Sequence, residues 1–121
     1  MVQALVVDDS AVIRKVACRI FQDLRFDTLE AADGQQALGA CLARMPDVIL
    51  LDWNMPVMDG FAFARKLRTL PGGLAPKLVL CTTENDVAHI ERALQAGVDD
   101  YVMKPFDGEI LRAKVVALGL L

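Results

Sequence analysis

The chain holds a single histidine, His89, and only three cysteines, Cys18, Cys41 and Cys81. One histidine and three scattered thiols do not make a zinc site. Zinc centres want four His, Cys or carboxylate ligands drawn into a tetrahedron. An odd cysteine count without a CxxC spacing also argues against a disulfide framework, so the three are read as free, half-buried thiols in a reducing compartment. Cys81 is read as core. Basic residues are not in excess: 13 Lys and Arg stand against 16 Asp and Glu, for a net charge of −3 and a pI near 5.0. A general binder of nucleic acid or anionic membrane needs a basic patch. Arg14, Lys15 and Arg19 cluster, as do Arg65, Lys66 and Arg68, and both groups are read as solvated helix faces. No apolar run approaches the ~20 residues of a membrane span. The opening segment carries no positive charge before Asp8-Asp9 and reads as a strand, not a signal peptide. There is no linker, repeat or low-complexity stretch. The expectation is one cytoplasmic domain over 1–121, with no membrane insertion and no nucleic-acid binding.

What is present is a set of short apolar runs that each end in a polar residue. Val48-Ile49-Leu50-Leu51 runs straight into Asp52, between Met45-Pro46-Asp47 and Asn54-Met55-Pro56. Such a run reads as a strand buried on both faces. Ala4-Leu5-Val6-Val7, Thr28-Leu29-Glu30-Ala31, Leu78-Val79-Leu80-Cys81 and Tyr101-Val102-Met103 supply four more strands. Helical spacing follows each: Val12 to Leu24 behind a Ser10 cap, Ala37 to Leu42 after Asp33-Gly34, Phe61 to Leu67 after Asp59-Gly60, Val87 to Leu94, and Phe106 to Leu118. Gly39 inside the second helix costs about 1 kcal/mol against alanine. Five strands alternating with five helices predict an α/β fold, a parallel sheet covered on both faces.

In a parallel sheet the carboxyl ends of all strands share one edge, where ligands bind. The first strand ends in Asp8-Asp9, the third in Asp52, the fourth in Thr82 and the fifth in Lys104. With strand order 2-1-3-4-5 these groups meet at the switch point between the first and third strands. Three carboxylates within a few ångströms repel strongly. A divalent cation relieves that, and oxygen donors with room for water suit Mg²⁺. A metal and a lysine beside a free aspartate oxygen can receive a phosphoryl group: the cations screen its charge while the carboxylate attacks. Each piece alone is common in turns and helix caps. The specificity lies in the set, spaced by 43, 30 and 22 residues and each at a strand end.

The residues Val6-Val7-Asp8-Asp9-Ser10, Leu51 through Gly60, Thr82-Thr83-Glu84 and Ala96 through Phe106 together resemble response-regulator receiver domains, specifically the stand-alone CheY type. The resemblance covers essentially the whole chain. It implies a doubly wound (βα)5 flavodoxin-like fold with a five-stranded parallel sheet in order 2-1-3-4-5. It implies Asp52 as phosphoacceptor and one Mg²⁺ held directly by Asp9, Asp52 and the Asn54 backbone carbonyl, with Asp8 reaching it through water. Lys104 and Thr82 would contact the phosphoryl group, Thr82 and Tyr101 would form a coupled switch, and the Lys104-Pro105 bond would be cis. Asn54 and Glu84 flank the path of an attacking water, Thr83 is bulkier than the alanine often found there and narrows access to the phosphate, and all three are expected to tune dephosphorylation. Trp53 is read as a packed or half-exposed reporter beside the acceptor, and His89 as a plain surface residue away from the edge. Arg25 departs from the glycine that often closes the first helix, so a strained turn is expected there.

The implied function is a two-component response regulator, not an enzyme beyond assisting its own phosphorylation and dephosphorylation. A histidine kinase would be its donor. A downstream protein would read the face of the fourth helix, fifth strand and fifth helix, and chemotaxis with control of the flagellar motor is the expected setting. No output domain is expected, and a monomer is. Alternatives are a phosphate sink, a single-domain regulator outside motility, or a receiver cut from a longer regulator. More remote are a haloacid-dehalogenase-type phosphatase, which needs an acid where Asn54 stands, and a nucleotide-messenger module using arginines of the first or third helix.

Overall fold

The structure is a computed structural model describing residues 1–83 and 87–121. Five strands alternate with five helices: β1 (Gln3–Val7), α1 (Ala11–Asp23), β2 (Asp27–Ala31), α2 (Gly34–Ala43), β3 (Val48–Asp52), α3 (Gly60–Thr69), β4 (Lys77–Thr82), α4 (Val87–Gln95), β5 (Asp100–Met103) and α5 (Gly108–Ala117). All pairings are parallel and the order is β2-β1-β3-β4-β5, as the resemblance implied.

The apolar runs are continuous because both faces of the central strands are covered, and the two-residue period of a strand divides each run between two cores. Leu5, Val7, Ile49, Leu51, Leu78 and Leu80 face one way, against Ala37 and Cys41 of α2, Phe63 and Leu67 of α3 and Ala93 of α4. Ala4, Val6, Val48, Leu50, Val79 and Cys81 face the other, against Ala17 and Phe21 of α1 and Leu111 and Val115 of α5. A one-residue slip of β3 would exchange the two sets, so the cores fix the register. The edge strand β2 buries fully only Ala31.

Among the described residues, side-chain oxygens open four helices. Ser10, Asp33, Asp59 and Asp107 accept from the third amide ahead, at Ile13, Gln36, Ala62 and Ile110, each satisfying a donor that lacks an intrahelical partner. α1 closes with the Arg25 N–H donating to Gln22 and the Phe26 N–H to Phe21. That double bond pattern requires a left-handed residue, and Arg25 supplies it at φ 70°. The strained turn expected there is present.

The two basic clusters are not uniformly solvated. Arg14 donates through Nη1 to the Asp8 carbonyl at 2.7 Å and pairs through Nε with Glu30 at 3.0 Å. Arg68 bonds the carbonyls of Gly73, Pro76 and Gly97 and the carboxylate of Asp99. Both lie where a loop carbonyl needs a donor, which helical spacing cannot reveal. No helix among the described residues is long and apolar enough to cross a membrane.

Candidate functional site

Asp8 and Asp9 directly follow β1, Asp52 is the last residue of β3, Thr82 the last of β4, and Lys104 follows β5. Because β1 and β3 are neighbours, carboxylate oxygens of Asp8, Asp9 and Asp52 come within 4.8 Å of one another. Lys104 reaches in from the far side, its Nζ 2.9 Å from Asp8 Oδ2 and 3.4 Å from Asp52 Oδ1. Asp8 is buried, and its other oxygen accepts the Ser10 N–H at 2.8 Å. Asp9 is exposed, and no hydrogen bond engages its carboxylate among the described residues.

One ammonium faces three carboxylates, and the electrostatics register the imbalance. Burial pushes the Asp52 carboxyl above its ordinary range. The charge of Asp8 adds to that, and Lys104 only partly offsets it. For Lys104, burial works to lower the pKa. Its hydrogen bond to Asp8 and the charges of Asp52 and Asp8 outweigh burial, so the net movement is upward. A buried anion held against like charge favours a divalent cation. The donor set is all oxygen, hard and closely spaced, and fits Mg²⁺. Asp9 and Asp52 have oxygens to offer, whereas both oxygens of Asp8 are already engaged.

The loop after β3 folds back onto the strand end. The Gly60 N–H donates to the Trp53 carbonyl at 3.0 Å. A Cβ on Gly60 would lie 2.7 Å from the Asp52 carbonyl oxygen and 2.8 Å from the Trp53 ring, so only glycine allows α3 to start so close to Asp52. Asn54 is exposed on this loop.

Trp53 is buried, with 7% exposure, and meets two rings edge-on: Phe61 at 5.9 Å and 82°, and His89 at 5.9 Å and 78°. His89 is thus not a plain surface residue remote from the edge. It is half-buried because α4 packs beside the β3–α3 loop, where an imidazole completes an aromatic cluster. Phe61 and Arg92 belong to the same cluster, with the Arg92 guanidinium carbon 5.2 Å from the Phe61 centroid. From helical spacing alone, Phe61 reads only as a helix-face residue. Its position directly after Gly60, eight residues past Trp53, was the available signal.

Thr82 is buried, and its carbonyl accepts the Lys104 N–H at 2.8 Å. Thr83 is exposed, and Glu84 lies outside the described residues. Tyr101 is half-buried against the core, with the Lys114 ammonium 5.0 Å from its ring centroid. The Lys104-Pro105 bond is cis. Cys18, Cys41 and Cys81 are free and all buried. Burial pushes the thiol of Cys41 up to about 11 and that of Cys81 up to about 12.

Fold and site together define a doubly wound α/β domain with an acidic, cation-seeking pocket at its switch point. The family model described as response regulator receiver domain matches residues 4–116. The chain therefore belongs to the response regulator receiver domain family. It is 36% identical over 118 residues to "Chemotaxis protein CheY1" of Helicobacter pylori, covering 95% of each chain. It is 38% identical over 113 residues to "DNA-binding response regulator MtrA" of Mycobacterium tuberculosis, covering 93% of this chain and 48% of that protein. The chain thus spans about half the length of the MtrA relatives it matches. Among solved structures, chemotaxis response regulator CheY4 of Vibrio cholerae superposes with a TM-score of 0.93 at 32% identity, over 98% of both chains.

Proposed function

We propose that this domain accepts a phosphoryl group on Asp52 from the phosphohistidine of a histidine kinase and thereby switches the binding of a downstream protein. The observation that carries this reading is the convergence of three carboxylates with the Lys104 ammonium on the carboxyl end of β3. An Asp52 oxygen attacks phosphorus, and the P–N bond of the donor breaks with its electrons returning to the imidazole. Asp9, Asp52 and the Asn54 carbonyl would hold Mg²⁺, with Asp8 acting through water; the ion supplies charge neutralisation for the entering phosphoryl oxygens. Lys104 gives up its contact with Asp52 and bonds a phosphoryl oxygen. The Thr82 hydroxyl turns to another, and Tyr101 moves into the space vacated. A local charge change is thereby read at the surface of α4, β5 and α5. The domain assists this chemistry on itself and turns over no separate substrate. Asn54, Thr83 and Glu84 would set how fast water removes the phosphoryl group.

Within this class we favour a cytoplasmic, monomeric chemotaxis regulator acting on the flagellar motor. The near-complete mutual coverage with CheY1 and CheY4 supports that choice. The second reading is the receiver part of a gene regulator, supported by the 38% identity to MtrA.

The acceptor is tested with acetyl phosphate and Mg²⁺, following intact mass and Trp53 fluorescence. We expect one hydroxylamine-labile phosphoryl adduct and a fluorescence change, both lost in Asp52→Asn. An adduct that persists in that variant would remove Asp52 as acceptor. Swimming in soft agar, restored to a deletion strain by the wild type and not by Asp52→Asn, would support the motility setting. Unaltered swimming in the deletion strain would move the assignment to the second reading.

A further inference from the structure

Away from the acidic edge, α3 and α4 leave between them a pocket of about 500 Å³, lined among the described residues by Phe61, Arg65, Arg68, Thr69, Arg92, Gln95 and Ala96. That volume lies within the range of small-molecule sites. Three of the lining residues are arginines and none carries a carboxylate, in a chain whose net charge is −3. The positive character is therefore local and not a reflection of general basicity.

The three arginines are not equivalent. Arg68 has spent its guanidinium on structure: its five hydrogen bonds to Gly73, Pro76, Gly97 and Asp99 use the whole fork. Arg65 and Arg92 are exposed and have no ion pair or hydrogen bond among the described residues. Their contact is with Phe61, whose ring centroid lies 5.6 Å from the Arg65 guanidinium carbon and 5.2 Å from that of Arg92. Contact with a ring face consumes no N–H donor, so both forks keep their full capacity. Two guanidinium groups, one from each helix and steadied by a shared ring, suit bidentate recognition of a phosphate. The remaining wall, with Phe61, Ala96 and the Gln95 amide, offers apolar contact and a donor–acceptor pair, as a flat heteroaromatic ring requires.

We infer that the α3–α4 pocket is a binding site for a nucleotide-sized phosphate ester, its phosphate held by Arg65 and Arg92 and its ring lying against Phe61 and Gln95. This site is separate from the acceptor carboxylates and joined to them by contact. Phe61 meets Trp53 edge-on, and Trp53 follows Asp52 in the chain. Occupancy should therefore be visible in Trp53 fluorescence.

The probe is GMP, titrated by calorimetry and Trp53 fluorescence in EDTA, so that the carboxylate edge cannot recruit phosphate through a metal. Guanosine, inorganic phosphate and a polyglutamate peptide serve as comparison ligands. The inference expects saturable GMP binding that weakens with salt and survives Asp52→Asn. It expects a roughly tenfold or greater loss of affinity in Arg65→Gln/Arg92→Gln, with partial recovery in Arg65→Lys/Arg92→Lys. Thermal melts of these surface variants verify that they fold. Absence of GMP binding, or binding unchanged in the double Gln variant, would overturn the site. Equal affinity for guanosine would remove the phosphate role of the arginines. Equal affinity for inorganic phosphate would reduce the pocket to a plain oxyanion site. Binding of the peptide in place of GMP would make the pocket a protein-docking surface instead.

Discussion

Asp52 is held in an electrostatic conflict between burial and Asp8 on one side and Lys104 on the other. Burial and the neighbouring Asp8 raise its pKa above the ordinary 3.8, so the folded state prefers the neutral carboxyl more than the unfolded chain does. Below the ordinary value the group is protonated in both states and its neutral form sits in the fold without penalty. As pH rises through the raised folded value, that advantage is lost, and at neutral pH the charged group weighs against folding. Asp52→Asn, which stays neutral, should therefore melt higher than the wild type in EDTA at pH 7, by roughly 3–6 °C for a gain on the order of 1 kcal/mol. The difference should shrink as pH falls toward the carboxylate range, and a pH series of melting curves would check it. A variant less stable than the wild type throughout would mean that Asp52 is better paired by Lys104 than we argue. Val57 shows a second conflict. It adopts φ 69° while 77% exposed, a conformation that β-branched residues rarely take. Val57→Gly should raise stability by about 1 kcal/mol in urea titrations.

At the level of elements, helix ends separate what was legible from what was not. Gly97 and Gly119 close α4 and α5 with the same paired bonds that Arg25 makes after α1. The glycines carry no penalty for the left-handed turn, whereas the arginine does. Arg25→Gly should gain about 0.5–1 kcal/mol. Because Arg25 is exposed, no lost packing should offset the gain, and chemical denaturation would measure it. The position was readable because a helix stop is a local signal. The staple made by Arg68 was not, because its acceptors lie in two loops that only the folded sheet brings together. The same holds for His89, whose partner ring is 36 residues earlier in the chain. Helical periodicity tells which side of a helix turns inward, and it says nothing about which loop will be waiting there.

For the molecule as a whole, fold and site were legible together because a parallel sheet makes them one statement. Once the apolar runs Leu5-Val6-Val7 and Ile49-Leu50-Leu51 are neighbouring strands, the residues that end them must share an edge, and three of those residues are carboxylates. The α3–α4 pocket had no such marker, since Arg65 and Arg92 lie 27 residues apart on different helices. The acidic edge couples ligand and fold by mass action. Anything bound only by the native state adds stability, about 2.7 kcal/mol at a hundredfold excess over its Kd. Mg²⁺ should therefore raise the melting temperature of the wild type progressively, and that of Asp52→Asn much less, since the variant lacks one of the carboxylates that would hold the ion. Because the variant is expected to be the more stable protein in EDTA, the two melting curves should converge as Mg²⁺ is added. Parallel responses in the two proteins would place the ion away from Asp52, and Asp9→Asn would then show whether it binds this edge at all.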